Sequence, residues 1–307
     1  MFIRQQAFSG EKRSLLKGGL HCHTTRSDGK LSPEATIVLH ASHGYDFLAL
    51  TDHRFYNYKN YAPQSGLLII PGMEMDAGIT SRDGMCFHAV ALGPDDERNG
   101  YGQDERPSGG KVSDQTQFQP FIDEMRAKGN LVFYCHPDWS RTPARSFENL
   151  KGCFAMEIWN SGCAMVDEMD VDNGLIWDEL LIMDKRLYCV AVDDGHEMEQ
   201  HCNGWVMVNA EKKVTSILDA LREGRFYSSC GPEIYDFYVE DDIAHCVTSP
   251  CKKIGFRYGL RPIAVKHASE GEYITEAERS VKGYSYIRMW AEDELGRRAW
   301  SNPIWLA

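Results

Sequence analysis

Residues 18–28 read G-G-L-H-C-H-T-T-R-S-D, which predicts a strand that ends in a polar loop. Side chains two positions apart in a strand point to the same face, so His21 and His23 would present two imidazoles together. Neutral imidazole is the commonest metal ligand among protein side chains. The pair alone leaves metal binding and ordinary polar packing about equally open, because short motifs also occur by chance. The rest of the chain repeats the pattern and so favours the metal.

The composition is typical of a globular protein, with 307 residues of which 43% are hydrophobic and 25% charged. This length suits one large α/β barrel, or one catalytic domain with a small appendage. The net charge is −12 and the pI is near 5.4, which disfavours a nucleic-acid scaffold that relies on broad electrostatic attraction. A short nucleotide substrate stays open.

The pattern of apolar residues predicts a cytoplasmic protein without a membrane partner. Residues 1–17 are polar and lack the apolar core of a signal peptide, and no apolar run is long enough to cross a bilayer. The ten cysteines are scattered and form no C-x-x-C pair. We therefore expect reduced, mostly buried cysteines and no disulfide framework.

Six further apolar runs each carry or precede polar residues at the end of a predicted strand. They are 45–50 before Asp52 and His53, 67–70 before Glu74, 86–92 with His88, 131–134 before His136, 154–158 with Glu157 and before Asn160, and 188–192 before Asp194 and His196. Helical patterns separate several runs, at a segment capped by Ser32 and at 118–129, 175–183 and 216–221. This alternation predicts a (β/α) barrel with its site at the strand ends. An open doubly wound sheet fits less well, since no Gly-rich loop follows the first strand.

After Pro232 the pattern changes to short β-type runs at 234–239, 253–258, 264–267 and 284–292. They predict a small, sandwich-like antiparallel β domain over residues 233–307, after a barrel over residues 1–232. His245 and His267 belong to this region and are expected to be structural or surface residues. The polar segment 94–115 is predicted to be a flexible loop, either a lid beside the site or an insertion without a role.

Two other histidine positions are left outside the predicted site. His40 and His43 lie three apart on the first helix and are predicted to be an exposed or half-buried pair, because both precede the next strand end. His201 is close in sequence to His196, but no spacing argument includes it.

The polar strand ends together form a set of nitrogen and oxygen donors that suits Zn, Mn or Fe, with enough groups for more than one ion. Their order is H-x-H, S-D-G, T-D-H, G-x-E, a strand histidine, H-P and D-x-H. This order resembles the PHP (polymerase and histidinol phosphatase) superfamily, and in particular its stand-alone metal-dependent phosphoesterases. The resemblance covers about residues 18–232.

The resemblance implies an α/β fold with a distorted (β/α)7 barrel of PHP type, followed here by the small C-terminal antiparallel β domain. It also implies two to three divalent ions (Zn, Mn or Fe) with Glu74 bridging two of them, and Asp52 orienting a ligand. The implied metal ligands are His21, His23, Asp28, His53, Glu74, His88, His136, Asp194 and His196.

The implied activity is hydrolysis of a phosphate ester, a small phosphomonoester or nucleotide-like substrate, by a hydroxide that bridges metal ions in a trinuclear site. Asp194 could accept a proton from the attacking water, and His196 or His53 could assist the leaving oxygen. Ligation alone would also explain all three residues.

The candidate substrate contacts are Arg54, Arg141 and Asn160. Guanidinium groups match phosphate in bidentate fashion, although either arginine could be an ordinary surface residue. Asn160 could donate to a phosphate or brace a neighbour. Two alternatives stay open for the whole chain: an exonuclease or pyrophosphatase that takes nucleic acid only as substrate, and a non-catalytic, metal-stabilised binding protein. The oligomeric state is not predicted.

Overall fold

The computed structural model describes residues 2–10, 15–78, 84–94 and 100–306. Within these residues the α-helices are α1 Pro33–Ser42, α2 Gln115–Ala127, α3 Ser161–Asp167, α4 Gly174–Ile182 and α5 Val214–Arg222. The strands are β1 Phe2–Arg4, β2 Leu15–Gly19, β3 Phe47–Ala49, β4 Leu68–Ile70, β5 Gly72–Gly78, β6 Phe87–Leu92, β7 Gly110–Lys111, β8 Leu131–Tyr134, β9 Cys153–Asn160, β10 Tyr188–Val192, β11 Trp205–Asn209, β12 Phe226–Ser229, β13 Ile234–Glu240, β14 Ile243–Cys251, β15 Lys253–Tyr258, β16 Arg261–His267, β17 Ile274–Ser280, β18 Tyr286–Glu292, β19 Arg298–Ser301 and β20 Ile304–Trp305.

Local sequence signals account for the helix positions. The hydroxyl of Ser32 accepts a hydrogen bond from the backbone N–H of Ala35 at 3.2 Å, and Pro33 occupies the first helical position of α1. In α2 the predicted apolar stripe is buried through Phe118 and Ile122. Strands also form at the apolar runs that follow these helices: β3 lies within the run 45–50 after α1, and β8 coincides with the run 131–134 after α2.

The strands of the predicted barrel lie in two sheets. One has the order β10-β9-β8-β6-β5-β7, in which β8, β9 and β10 are parallel and β6 is antiparallel to both neighbours. The other contains β2, β3 and β4 in parallel, with β11 antiparallel to β2. Both sheets bury side chains in one shared apolar core, to which Phe47, Phe133 and Val190 belong. The mixed α/β class is therefore confirmed, while the closed (β/α)7 barrel is not, because sheets predominate and include antiparallel pairs.

The C-terminal β region extends the second of these sheets. Beyond β11 this sheet continues through β12 and then through β19, β18, β15 and β16 of the C-terminal region, and β20 pairs with β18. A separate sheet has the order β1-β13-β14-β17. A second core, which includes Phe237, Phe256 and Met289, contains side chains from both sheets. The predicted division at residue 232 stays a prediction, since one sheet continues across it and β1 pairs with β13.

The described part of the segment 94–115 contains ordered structure. Strand β7 pairs with β5 in parallel, and Tyr101 and Val112 are buried. Residues 95–99 lie outside the described residues. The lid that the sequence suggested stays a prediction.

All ten cysteines are free, and eight of them are buried. The prediction that the cysteines are mostly buried is thus confirmed. Among the described residues, no helix combines the length and the apolar composition that crossing a bilayer requires.

Candidate metal centre

The predicted ligands converge because neighbouring strands deliver them to one place. His21 and His23 follow β2, and His53 follows β3. Glu74 and His88 lie within the paired strands β5 and β6. His136 follows β8, and Asp194 and His196 follow β10.

Glu74 lies at the centre of this group and is almost completely buried. Each of its carboxylate oxygens faces imidazole nitrogens from different strands. The distances from Oε1 are 2.9 Å to His88 Nδ1 and 3.3 Å to His136 Nε2, and those from Oε2 are 2.8 Å to His53 Nδ1, 3.4 Å to His23 Nε2 and 3.7 Å to His21 Nε2. One carboxylate is therefore shared by five histidines.

Asp194 faces the same histidines from the other side. Its Oδ1 lies 2.9 Å from His23 Nε2 and 3.3 Å from His21 Nε2. The backbone N–H of Asp194 donates to the carbonyl of His21 at 2.9 Å, and its φ of 48° is in the left-handed region. His136 also has a positive φ, of 26°. Such backbone conformations cost about 1–3 kcal/mol each in non-glycine residues and cluster at functional sites.

Besides the groups around Glu74 and Asp194, a third group of candidate ligands lies toward solvent. The potential ligand atoms of His23, Asp28, His53 and His196 are all within 4.8 Å of one another. Asp28 approaches His196 Nε2 at 3.4 Å and His53 Nε2 at 3.6 Å. All four residues are among the ligands that the sequence predicts, and the structure places them together. Because these side chains are partly exposed except for His23, this is the side of the centre that a substrate can reach.

Opposite charges govern the electrostatics of the centre. Burial alone would favour neutral side chains, but the histidines around Glu74 hold the pKa of this carboxyl well below its usual value. Despite their own burial, the carboxylate of Glu74 raises the pKa of His53 to about 11 and of His88 to about 10. The hydrogen bond from His196 likewise lowers the pKa of Asp28.

Three buried polar atoms of the centre make no hydrogen bond of good geometry within the described ranges, although each lies within 2.9 Å of another candidate ligand atom: His53 Nδ1, Glu74 Oε2 and Asp194 Oδ1. Incomplete hydrogen bonding of a buried polar atom costs about 1–3 kcal/mol. Their imidazole and carboxylate chemistry is that of ligands for Zn, Mn or Fe. The donor set therefore fits divalent ions, which Glu74, Asp194 and the histidines around them would hold.

Glu157 supports the ligands, a role that the sequence did not assign to it. Its Oε1 lies 2.7 Å from His21 Nδ1, and its Oε2 accepts hydrogen bonds from the His136 backbone N–H at 2.8 Å and from Asn160 Nδ2 at 2.9 Å. A carboxylate that binds the outer nitrogen of a ligating histidine fixes the orientation of the ring. The available signal was the position of Glu157 within the predicted strand 154–158, three residues before Asn160.

Glu157→Gln is expected to weaken metal binding by about 10–100-fold, the usual effect of losing such a supporting carboxylate. If the amide oxygen faces His21, the amide nitrogen meets two N–H donors, from the His136 backbone and from Asn160. Competition with a chelator measures the affinity. The exposed Glu223→Gln is the matched control, and equal affinities for the two variants would contradict the supporting role.

Metal loading of the metal-free chain at pH 7 is expected to release protons. His53 and His88, with pKa values raised to about 11 and about 10, are protonated at that pH and must lose those protons to bind metal. Apparent affinity should therefore fall about tenfold per pH unit for each displaced proton as the pH falls. In the metal-free chain the same raised pKa values stabilise the fold fully below the ordinary value of 6.5, and this contribution is lost as the pH rises through 10 to 11.

Calorimetric titration in buffers with different ionisation enthalpies measures this proton release. A binding heat that is the same in every buffer would contradict the prediction.

Asp52 positions the S-D-G loop. Its Oδ1 accepts hydrogen bonds from the backbone N–H groups of Thr24 at 2.8 Å and Ser27 at 3.1 Å, and both hydroxyls also donate to the carboxylate. Gly29 completes the turn, since a Cβ there would lie 2.6 Å from the carbonyl of His23. Asp52 thus orients the loop that carries Asp28.

The three expected substrate contacts are placed differently from one another. Arg54 Nε lies 2.9 Å from Asp76 Oδ1, and that carboxylate is 3.5 Å from His53 Nδ1. Arg141 is exposed and lies 3.7 Å from Asp138. Asn160 is buried and braces the centre, because its Nδ2 donates to Asp194 Oδ2 at 3.0 Å as well as to Glu157. Contact of any of the three with substrate stays a prediction.

An open cavity of about 350 Å³ leads to the centre. Its floor contains metal-ligand candidates, including Glu74 and Asp194, and its walls include Trp139 and Val166. Asp167 and Glu197 add acidic groups to the wall, and no lysine or arginine lines the cavity within the described residues.

A second cluster of potential ligands lies outside this cavity. It consists of His40, Asp193 and His201, whose ligand atoms lie within 4.8 Å of one another. The prediction that His40 is exposed or half-buried is wrong, because His40 lies on the face of α1 that packs against Asp193 and His201 and is completely buried there. His43, the other member of the pair, is exposed. No local pattern signals this cluster, since its members are 153 and eight residues apart in the chain.

Neither the protein-family models nor the curated protein sequences contain a match to this chain. Among solved structures it is similar to a two-domain protein from Bacteroides vulgatus that contains a predicted PHP-like metal-dependent phosphoesterase. That match has a TM-score of 0.50 and 15% identity, and covers 91% of this chain and 90% of the other. An amidohydrolase from Chromobacterium violaceum, solved with bound sulfate and no metal, matches with a TM-score of 0.42 and 16% identity over 59% of this chain and 88% of the other.

The chain therefore has a PHP-like fold, which confirms the resemblance drawn from the order of its motifs. Because the match to the Bacteroides vulgatus protein covers 91% of the chain, it extends beyond residues 1–232 into the C-terminal β region. The likeness is thus to a two-domain protein and not to a barrel alone.

Proposed function

We propose that this chain is a metal-dependent phosphoesterase of the PHP type that hydrolyses a small phosphomonoester or nucleotide-like substrate. The observation that carries the proposal is the environment of Glu74, a buried carboxylate with five histidines within 3.7 Å. The fold likeness to a protein described as containing a predicted PHP-like metal-dependent phosphoesterase supports the same reaction class. A seven-stranded barrel and a trinuclear site are part of the proposal.

The ions, when bound, would supply Lewis-acid activation of water and offset charge on the phosphate. Glu74 and Asp194 stay anionic because, although burial opposes it, the neighbouring histidines hold the pKa of each carboxyl well below its usual value. Asp194 is assigned as the acceptor for a proton of the attacking water. His53 and His196 lie on the solvent-facing side and are assigned to the leaving oxygen.

The cavity favours a small substrate over a polynucleotide. Its volume of about 350 Å³ is at the lower end of the range for small-molecule sites, about 300–1,000 Å³. A polynucleotide needs cations along its path to compensate the phosphates. The described lining instead presents Asp167 and Glu197 beside the ligand candidates. Exonuclease activity is therefore the weaker alternative.

The test is a phosphate-release screen on metal-supplied protein, with elemental analysis of the same samples. We expect two to three ions per chain, turnover of phosphomonoesters, and a loss of about 100-fold or more in His53→Ala. The matched control is His43→Ala, which changes an exposed histidine directly after α1 and should retain activity.

Two results would overturn the proposal. Metal-supplied wild-type protein that hydrolyses no phosphate ester would favour a binding protein with structural ions. Hydrolysis of oligonucleotides without any turnover of mononucleotides or other small esters would favour the exonuclease.

A further inference from the structure

The cluster of His40, Asp193 and His201 joins three separate parts of the chain. His40 lies in α1, Asp193 directly follows β10, and His201 follows a short 3-10 helix, Met198–Gln200. Their exposed fractions are 0%, 1% and 5%, and none of them lines the cavity of the candidate metal centre. Two imidazoles and a carboxylate thus meet in the interior, beside the centre but separate from it.

The hydrogen bonds of His40 orient one ring nitrogen toward the cluster. Nδ1 lies 2.8 Å from the carbonyl oxygen of Thr36, so it carries the proton that is donated there. In the neutral ring Nε2 then has a lone pair, and it lies 3.2 Å from Asp193 Oδ2. A ligating histidine commonly donates its other N–H to a backbone carbonyl in this way. A charged His40 would also satisfy the contact with Asp193, but it would leave His201 unexplained.

His201 is the observation that points to a ligand. It is buried, and neither of its ring nitrogens has a hydrogen-bond partner among the residues that the structure describes. Its ring packs against Gly195, where a Cβ would lie 2.6 Å from His201 Nδ1. Burial and the neighbouring His40 lower the pKa of His201 to about 4, so the ring is in the neutral form that binds metals.

Asp193 is held in place by the backbone. Its carboxylate accepts hydrogen bonds of 2.8 Å from the N–H groups of Cys202, Asn203 and Gly204. These bonds fix both oxygens before any ligand binds, and Oδ2 is the one that faces His40. A carboxylate preorganised in this way loses little freedom on binding a cation.

We propose that His40, Asp193 and His201 bind a structural transition-metal ion of the zinc class, separate from the ions around Glu74. Two imidazoles and one carboxylate form the nitrogen and oxygen donor set that suits Zn²⁺, with a further position for water. The ion ties α1 to the segment after β10. That segment carries Asp194 and His196, so this ion steadies two ligands of the neighbouring centre.

The test locates zinc in the full chain by anomalous scattering from crystals measured above and below the zinc absorption edge. We expect a peak between His40 Nε2, Asp193 Oδ2 and the His201 ring, in addition to the peaks around Glu74. Elemental analysis should give one zinc ion fewer per chain in His201→Gln, and an unchanged number in His43→Ala.

An ordered water without anomalous signal at the cluster in wild-type crystals would overturn the proposal, whatever the variants show. Equal zinc content in wild type and His201→Gln would do the same. The wild-type map keeps the test decisive if His201→Gln does not fold. The proposed function depends on the ions around Glu74, whose anomalous peaks are measured separately. Failure of the proposed function would therefore leave the result for the His40, Asp193 and His201 cluster unchanged.

Discussion

Glu74→Gln should lower kcat/KM for phosphate-ester hydrolysis by about 10³-fold or more and strip the centre of its metal. Both oxygens of Glu74 are engaged, with two imidazoles facing Oε1 and three facing Oε2. Glutamine replaces one oxygen by an NH2 group, which has no lone pair for a metal ion. Loss of several kcal/mol of transition-state stabilisation corresponds to about 10³-fold in rate.

The matched control is Glu223→Gln, which changes an exposed carboxylate at the end of α5 and should keep both metal and activity. Elemental analysis and initial rates measured on the same preparations separate loss of metal from loss of chemistry. If Glu74→Gln retained its full metal content and its rate, Glu74 would not be the shared ligand.

Arg288→Met is expected to lower the free energy of unfolding by about 3–5 kcal/mol, because it leaves the charge of Asp178 buried and uncompensated. The two side chains are only 2% and 1% exposed. Their contact is bidentate, with Arg288 Nε 2.8 Å from Oδ1 and Nη2 2.7 Å from Oδ2 of Asp178. Nη2 also donates to the carbonyl of Gly174 at 3.2 Å. The pair connects α4 to β18, across the predicted boundary at residue 232.

Urea unfolding followed by both circular dichroism and tryptophan fluorescence measures the change. Arg222→Met is the control, since Arg222 forms an exposed pair with Asp219 and should cost no more than about 1 kcal/mol. The double variant Arg288→Met with Asp178→Leu should recover much of the loss, because it removes the buried charge as well. A double variant as unstable as the single one would show that lost packing, and not the uncompensated charge, causes the effect.

The predicted ligands were identified from sequence because their signals are local. Alternation in a strand places His21 and His23 on one face, and an apolar run marks where His53, His136 and Asp194 leave the strand ends. The structure brings all of these residues to one centre. The expected helix at α2 also forms, because capping by Asp114 and an apolar stripe act within a few residues.

Other features depended on contacts between distant parts of the chain. Glu157 supports His21 across 136 positions, and Arg288 reaches Asp178 across 110. His40 is buried because Asp193, 153 residues later, lies against it. No periodicity within α1 encodes that burial.

The sequence by itself determined where many of the strands and helices lie, the cap of α1 at Ser32 and the identity of the metal-ligand candidates, since each rests on spacing over a few residues. Only the tertiary structure decided how the strands divide between sheets, which carboxylate all five histidines share, and that His40 and His201 meet. The physical reason is that pairing of distant strands and burial of charge depend on which segments become neighbours, and that is set by the free energy of the whole fold.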